Sequence, residues 1–274
     1  PMKHTDGSVR IPQRDADVEA VHDGGAFATN PDPKGLLRLR SPYWGEDPVW
    51  SAKAVARSGA IDQKGRVWMG FRIRRTEAQP AFCRSGATNT FARYFPLDPK
   101  DGSNVGGKQT GYYDRKTQQW TLIDTCWWVD HNDFAEDADN TFYTGMDDVL
   151  GWVNTRVWDA THDEQASQGW CPLVIDTNGD GKITKPWTEP NQPIDPTRDH
   201  RVSVNCYSVS VNPKDGSIWC NGSGRRLVRL DRGSNPPETC KAEVYDAPES
   251  AGPGGSRGVD IGADGLAWVN FTGA

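Results

Sequence analysis

Four stretches of the chain share one alternation of apolar and polar positions: Ser58–Met69, Phe134–Thr144, Val209–Cys220 and Gly258–Val269. Each is a short apolar run, a polar turn rich in Asp, Asn or Pro, two spacer residues, and an aromatic that opens a second apolar run. The turns end at Gly65, Asn140, Gly216 and Gly265, and the aromatics Trp68, Tyr143, Trp219 and Trp268 follow three residues later. Two apolar runs across a tight turn predict a β-hairpin, with Gly or Asn supplying the positive φ that such turns require. The polar turn recurs together with both flanking runs, which marks an internal repeat and not a chance Gly-x-x-Trp.

A second pattern follows two of these hairpins. Gly111–Asp124 and Leu227–Tyr245 each read as strand, polar turn, strand. Hairpin plus hairpin gives a four-stranded antiparallel unit, and such units in tandem are the blades of a β-propeller. The fold class is therefore all-β, a propeller with long loop insertions. The turn residues lie 75, 76 and 49 residues apart; the last spacing suits one blade, and the first two require insertions. Residues 74–110 and 150–200, rich in Gly, Pro, Asn and Asp, are those insertions, and loops of this kind commonly carry binding function. The propeller proper spans 51–274. Three to four units are few for a closed disc, and two readings stand. Residues 1–50 are an N-terminal extension whose Leu36–Leu39 stretch supplies a closing strand, or the propeller is an incomplete fragment.

Composition narrows the picture. The 274 residues include 29 Gly and 19 Pro beside 12 Trp, 7 Tyr and 8 Phe, a mixture hostile to long helices and suited to pleated surfaces. With 31 basic against 37 acidic residues, a net charge of −6, the chain lacks the basic footprint of a nucleic-acid binder. No apolar run approaches the ~18 residues that span a bilayer. The six cysteines form no C-x-x-C pair, which argues against zinc and thioredoxin-type sites. Their even number predicts disulfides and an oxidising compartment, periplasmic or extracellular. Cys206 and Cys220 register across one hairpin and are expected to pair; the spacing of the other four leaves their partners open.

The phrase Asp62-x-x-Gly65-x-Val67-Trp68 resembles the blade repeat of virginiamycin B lyase-like propellers and of gluconolactonase-type and NHL-type propellers. Ser167–Trp170, Asp176–Ile183 and Gly233–Glu238 are similar to segments of secreted bacterial propellers. Where those proteins carry two adjacent His at the second hairpin, this chain reads Asp130-His131. The resemblance implies a propeller lyase or lactonase-type hydrolase working with a divalent metal such as calcium or magnesium.

Two constellations carry chemistry. Asp176-x-Asn178-x-Asp180-Gly181-Lys182 matches the opening of an EF-hand-type calcium loop: oxygen ligands at alternating positions, Gly at the sharp turn, and a backbone carbonyl from Lys182. Positions eleven and twelve are Pro186 and Trp187, so the usual bidentate Glu is missing. Glu189, two residues late, or an acid from elsewhere completes the shell, and the ion pins the insertion. An unoccupied Asx-rich turn is the plain alternative.

The second constellation follows from aligning the hairpins. Ala56, His131, Tyr207 and Ser256 fall at one level, and Arg57, Asn132 and Arg257 at the next. Inner strands of propeller blades start near the central axis, so these side chains are expected to converge at a channel mouth. There Arg57, Asn132 and Arg257 would hold a small anionic or polar substrate, with His131 as acid/base and Tyr207 as hydrogen-bond donor. Asp124, Asp130 and Asp133 flank His131 and suggest a second divalent metal. His162 with Asp163, and His200 with Asp199, read as solvated loop residues. Whether the protein is an enzyme is left open by sequence alone. The other reading is a non-catalytic, calcium-stabilised propeller that binds or assembles with other proteins through its insertions.

Overall fold

A computed structural model of the chain describes residues 2–3, 9–10, 56–71, 80–83, 90–95, 108–146, 148–252 and 254–271. The Leu36–Leu39 stretch and most of the 74–110 insertion lie outside the described residues. Met2–Lys3 (β1) and Val9–Arg10 (β2) pair antiparallel. The first sheet is β3 (Ala56–Ile61), β4 (Val67–Phe71), β5 (Gln109–Asp114) and β6 (Gln119–Asp124). The second is β7 (Asn132–Phe134), β8 (Phe142–Met146), β9 (Val149–Val153) and β10 (Gln168–Pro172). A short ribbon of β11 (Val174–Ile175) and β12 (His200–Arg201) follows. The third sheet is β13 (Ser208–Val211), β14 (Ile218–Asn221), β15 (Arg226–Asp231) and β16 (Lys241–Asp246). A last pair, β17 (Ser256–Ile261) and β18 (Ala267–Phe271), forms a two-stranded sheet among the described residues.

Every four-stranded sheet is an antiparallel meander in chain order, and the first strands β3, β7, β13 and β17 lie side by side in that order. This is the all-β arrangement of propeller blades. Each hairpin closes at its repeated turn residue. Gly65 N–H donates to the Asp62 carbonyl at 2.9 Å, Asn140 to Asp137 at 3.1 Å, Gly216 to Asn212 at 2.9 Å and Gly265 to Gly262 at 2.8 Å. All four take positive φ, between 47° and 86°.

The 150–200 stretch, read from sequence as an insertion, supplies most of β9 and all of β10. β9 (Val-Leu-Gly-Trp-Val) is buried at every position, so no alternation betrays it as a strand. β10 contains Gly169 and Pro172, which mimic loop punctuation. Both glycines have a packing cause: a Cβ on Gly151 would overlap the indole of Trp127, and one on Gly169 the indole of Trp152.

The repeat aromatics pack between and within the units. Trp68, fully buried, meets Tyr112 of its own sheet at 4.8 Å and Phe142 of the next at 5.1 Å between centroids. Tyr143 faces Trp152, and Trp219 stacks on Tyr245 at 5.6 Å. Trp268 is 67% exposed. The helix Thr155–Thr161, joining β9 to β10, is capped by Asn154 and His162. It brings Asp159 onto the first hairpin, where it meets Arg66 and Lys64. Trp127, Trp152, Trp158 and Trp170 are all buried, in keeping with a packing role. Cys206 pairs with Cys220 as expected, and Cys83–Cys126 and Cys171–Cys240 complete three disulfides.

Candidate functional site

The inner strands deliver their first side chains to a common line. Arg57 is the second residue of β3, His131 precedes β7, Asn132 opens it, Tyr207 precedes β13, and Arg257 is second in β17. The His131 and Tyr207 rings lie 4.4 Å apart between centroids. The Arg257 guanidinium sits 5.2 Å from the centre of the Tyr207 ring, a cation–π contact. On the other side, Arg57 Nε is 3.9 Å from Asp130 Oδ2, and the Asp130 side chain is buried. Asn132 donates Nδ2–H to the Ser58 carbonyl at 3.4 Å, while its Oδ1 is buried without a hydrogen-bond partner. The line Arg57, Asp130, His131, Tyr207, Arg257 thus crosses all four inner strands. Ser256 does not join it, since its hydroxyl turns to the carbonyls of Gly224 and Arg226.

Tyr207 is held by the backbone before it. Asp148 Oδ1 accepts the N–H groups of Val204 and Asn205 at 2.7 and 2.6 Å, and Asn205 takes φ 61°. Gly222 closes against this turn, where a Cβ would come within 2.5 Å of the Val204 carbonyl and 3.0 Å of Tyr207 N.

Burial lowers the His131 pKa below its ordinary value; the Asp130 charge opposes that shift and the Arg57 charge adds to it. The imidazole is therefore neutral at neutral pH and able to accept a proton. With the folded pKa depressed, His131 contributes stability that is present above the unfolded value of about 6.5 and lost as pH falls through the folded one. An NMR titration of its Cε1–H is expected to give a midpoint below about 6.5. Asp130→Asn should lower that midpoint further, because it removes the charge that supports the protonated ring; a rise would contradict this account.

The acids around His131 have other partners. Asp124 accepts from Gln109 at 2.8 Å, and Asp133 accepts from the Phe134 and Val211 amides and the Ser210 hydroxyl. Asp130 faces Arg57. Asp124, Asp130 and Asp133 are thus held by separate neighbours and are not drawn together around His131. Among the described residues, no group of three or more His, Cys, Asp or Glu side chains is already gathered to hold a metal ion. A cavity of about 150 Å³ lies away from the line, between Phe82, Phe91, Trp127, Gln168 and Trp170.

Asp176–Ile183 folds as a tight loop. Asp176 accepts from the Gly179 and Gly181 amides at 2.8 and 2.9 Å, Asn178 from Asp180 at 2.9 Å, and Asp180 from Lys182 at 2.8 Å. Gly181 sits at the sharp turn with φ 80°. Glu189 is engaged by Trp187 Nε1 at 3.0 Å and Arg201 Nε at 2.6 Å. Asp199, expected as a solvated loop residue, is instead fully buried. Its Oδ2 accepts the Thr184 N–H at 2.8 Å, and its Oδ1 has no hydrogen-bond partner. Burial is the largest cause raising its pKa; the Thr184 amide opposes this, and the charges of Asp176 and Asp180 add to it. No motif around Asp199 foretells this position: the pairing of β11 with β12, and the Thr188 amide on the Asp199 carbonyl at 2.8 Å, carry it in.

No protein-family model matches the chain, and no curated protein matches it in sequence. Among solved structures it is similar to a streptogramin B lyase, at 11% identity and TM-score 0.33 over 79% of this chain and 62% of that one. It is also similar to regucalcin, a calcium-binding protein from Agrobacterium tumefaciens, at 13% identity and TM-score 0.27 over 78% and 66%. A luciferin-regenerating enzyme gives 11% identity and TM-score 0.28 over 78% and 68%. The chain spans less than two thirds of the length of the first two.

Proposed function

We propose that the line at the inner strand ends binds a small anionic or polar molecule, and that the protein is a propeller lyase or lactonase-type hydrolase of an extracellular or periplasmic compartment. The observation that carries this is the contact of His131, Tyr207 and Arg257, three residues remote in sequence and adjacent in space. Arg57 and Arg257 take the anionic group, and the unpartnered Asn132 Oδ1 accepts from a ligand hydroxyl. Neutral His131 removes or returns a proton while Tyr207 donates a hydrogen bond. Three disulfides support the oxidising compartment. No helix among the described residues is long and apolar enough to cross a membrane. A calcium ion on the Asp176 loop belongs to the same reading, as a pin for the loop and not as a reactant. The second reading, a non-catalytic binding or assembly module, is favoured by the exposed Leu266 and Trp268 on the last hairpin.

The test is binding of a panel of sugar acids and dicarboxylates, followed at the His131 Cε1–H resonance. Arg257→Ala should weaken the best binder about tenfold or more, the loss of one charge-assisted hydrogen bond. His131→Gln should spare binding and abolish turnover. Wild-type affinity in both Arg57→Ala and Arg257→Ala would remove the site, and binding without turnover in the wild type would favour the module.

A further inference from the structure

We infer that Asp199 is the acid that completes a calcium site on the Asp176–Lys182 loop, taking the place of the missing twelfth-position Glu. The inference rests on the reading of that segment as a calcium loop and adds the ligand that the linear motif lacks. It is independent of the inner-strand site.

Three observations carry it. First, the loop has the ligand spacing and the left-handed Gly181 of a calcium loop, and the Asp176, Asn178 and Asp180 side chains accept bonds from loop amides. A carboxylate has about four lone-pair sites, so Asp176 and Asp180 retain acceptors for an ion. Second, Asp199 is fully buried, and its carboxylate lies against the loop because Oδ2 is bonded to the amide of Thr184, the ninth loop position. Its Oδ1 has no partner. A buried charged oxygen with nothing to bond is costly, and an ion beside it removes the cost. Third, Glu189, the alternative from sequence, is already paired to Arg201 and bonded to Trp187. Among the described residues, Asp176, Asp180 and Asp199 form no ion pair with a basic side chain, so no such pair competes with an ion for their oxygens.

The donors are all oxygens: the Asp176, Asn178, Asp180 and Asp199 side chains and the Lys182 backbone carbonyl. That set suits a hard cation with flexible coordination, calcium in preference to magnesium. The loop is also tied to the β15–β16 connection of the third sheet, since Ile183 N–H donates to the Glu238 carbonyl at 2.7 Å, two residues before Cys240 of the Cys171–Cys240 disulfide. An ion here fixes the connection between the second and third sheets.

The experiment is calcium titration of the full chain by calorimetry, with thermal unfolding in calcium and in EGTA. The wild type should bind one calcium ion and unfold at higher temperature with it. Asp199→Asn should weaken calcium binding at least tenfold, while Glu189→Gln should change it less than twofold. Asn keeps the Thr184 bond and removes the uncompensated charge, so Asp199→Asn in EGTA should unfold no earlier than the wild type; this also shows that the variant folds. Absence of calcium binding in the wild type would overturn the loop reading itself. Binding by the wild type and by Asp199→Asn with equal affinity would overturn the role of Asp199 alone.

Discussion

Asp62→Ala is expected to destabilise the protein by about 3–5 kcal/mol, the cost of breaking a buried ion pair from one side. Asp62 is fully buried and joins most of what the first hairpin turn contains. Its Oδ1 accepts the Lys64 and Arg66 amides at 2.9 and 2.8 Å. Its Oδ2 accepts Arg66 Nε at 2.6 Å and Trp68 Nε1 at 2.9 Å. The Arg66 side chain is only 7% exposed and lies 4.3 Å from the centre of the Tyr112 ring. Burial works against its charge, but the bonds to Asp159 and Asp62 outweigh that and raise its pKa. Removing Asp62 leaves this guanidinium with Asp159 alone and strands the Trp68 indole N–H. At about 2–4 °C per kcal/mol, the melting temperature should fall by about 10 °C. Asp62→Asn keeps acceptors for the two amides and should cost less, about 2 kcal/mol. Denaturant unfolding decides the matter: a midpoint shift worth under about 1 kcal/mol would mean that the network relaxes around the gap.

Replacing both Cys171 and Cys240 by Ala should cost about 4 kcal/mol. The bond joins residues 69 apart, and by loop-closure entropy a cross-link of that span restricts the unfolded chain strongly. It ties β10 of the second sheet to the segment that enters β16 of the third, and both sulfurs are buried. The Cys206–Cys220 bond spans 14 residues, and its removal should cost about 3 kcal/mol by the same relation. The comparison has an internal control, because both pairs lie in one hydrophobic cluster and leave similar voids. If the shorter cross-link proves the costlier, native packing and not chain entropy sets the order.

The repeat was legible because its signals are local. A polar turn, a left-handed residue and an aromatic three positions on specify a hairpin without reference to the rest of the chain, and the Cys206–Cys220 pairing follows from that hairpin's register. The second half of the second sheet was not legible, for a reason that lies elsewhere in the molecule. Gly151 and Gly169 are glycines because Trp127 and Trp152 occupy the space their side chains would need, and a reader of β9 or β10 alone meets only loop punctuation. The line from Arg57 to Arg257 could be found by aligning units, since equivalent positions of inner strands meet. Asp199 could not, because its burial comes from strand pairing and from the Thr188 bond. Nothing in the Asp199-His200 dipeptide separates a buried ligand from a solvated turn.

The repeated left-handed turn residue gives the molecule an internal standard for conformational energy. At Gly65 and Gly216 a Cβ would meet nothing within 4 Å, so a side chain there is opposed by backbone geometry alone. At Gly265 the same atom would meet Lys214 Cγ at 3.1 Å and Asn212 Oδ1 at 3.4 Å, the turn of the preceding unit. The same substitution made at the three sites therefore separates two energies that are ordinarily measured together, strain within a turn and crowding between neighbours. Asn140, which already carries a side chain in that conformation, marks the level the polypeptide tolerates. Differences among the units can thus be referred to one another, with no outside peptide as reference.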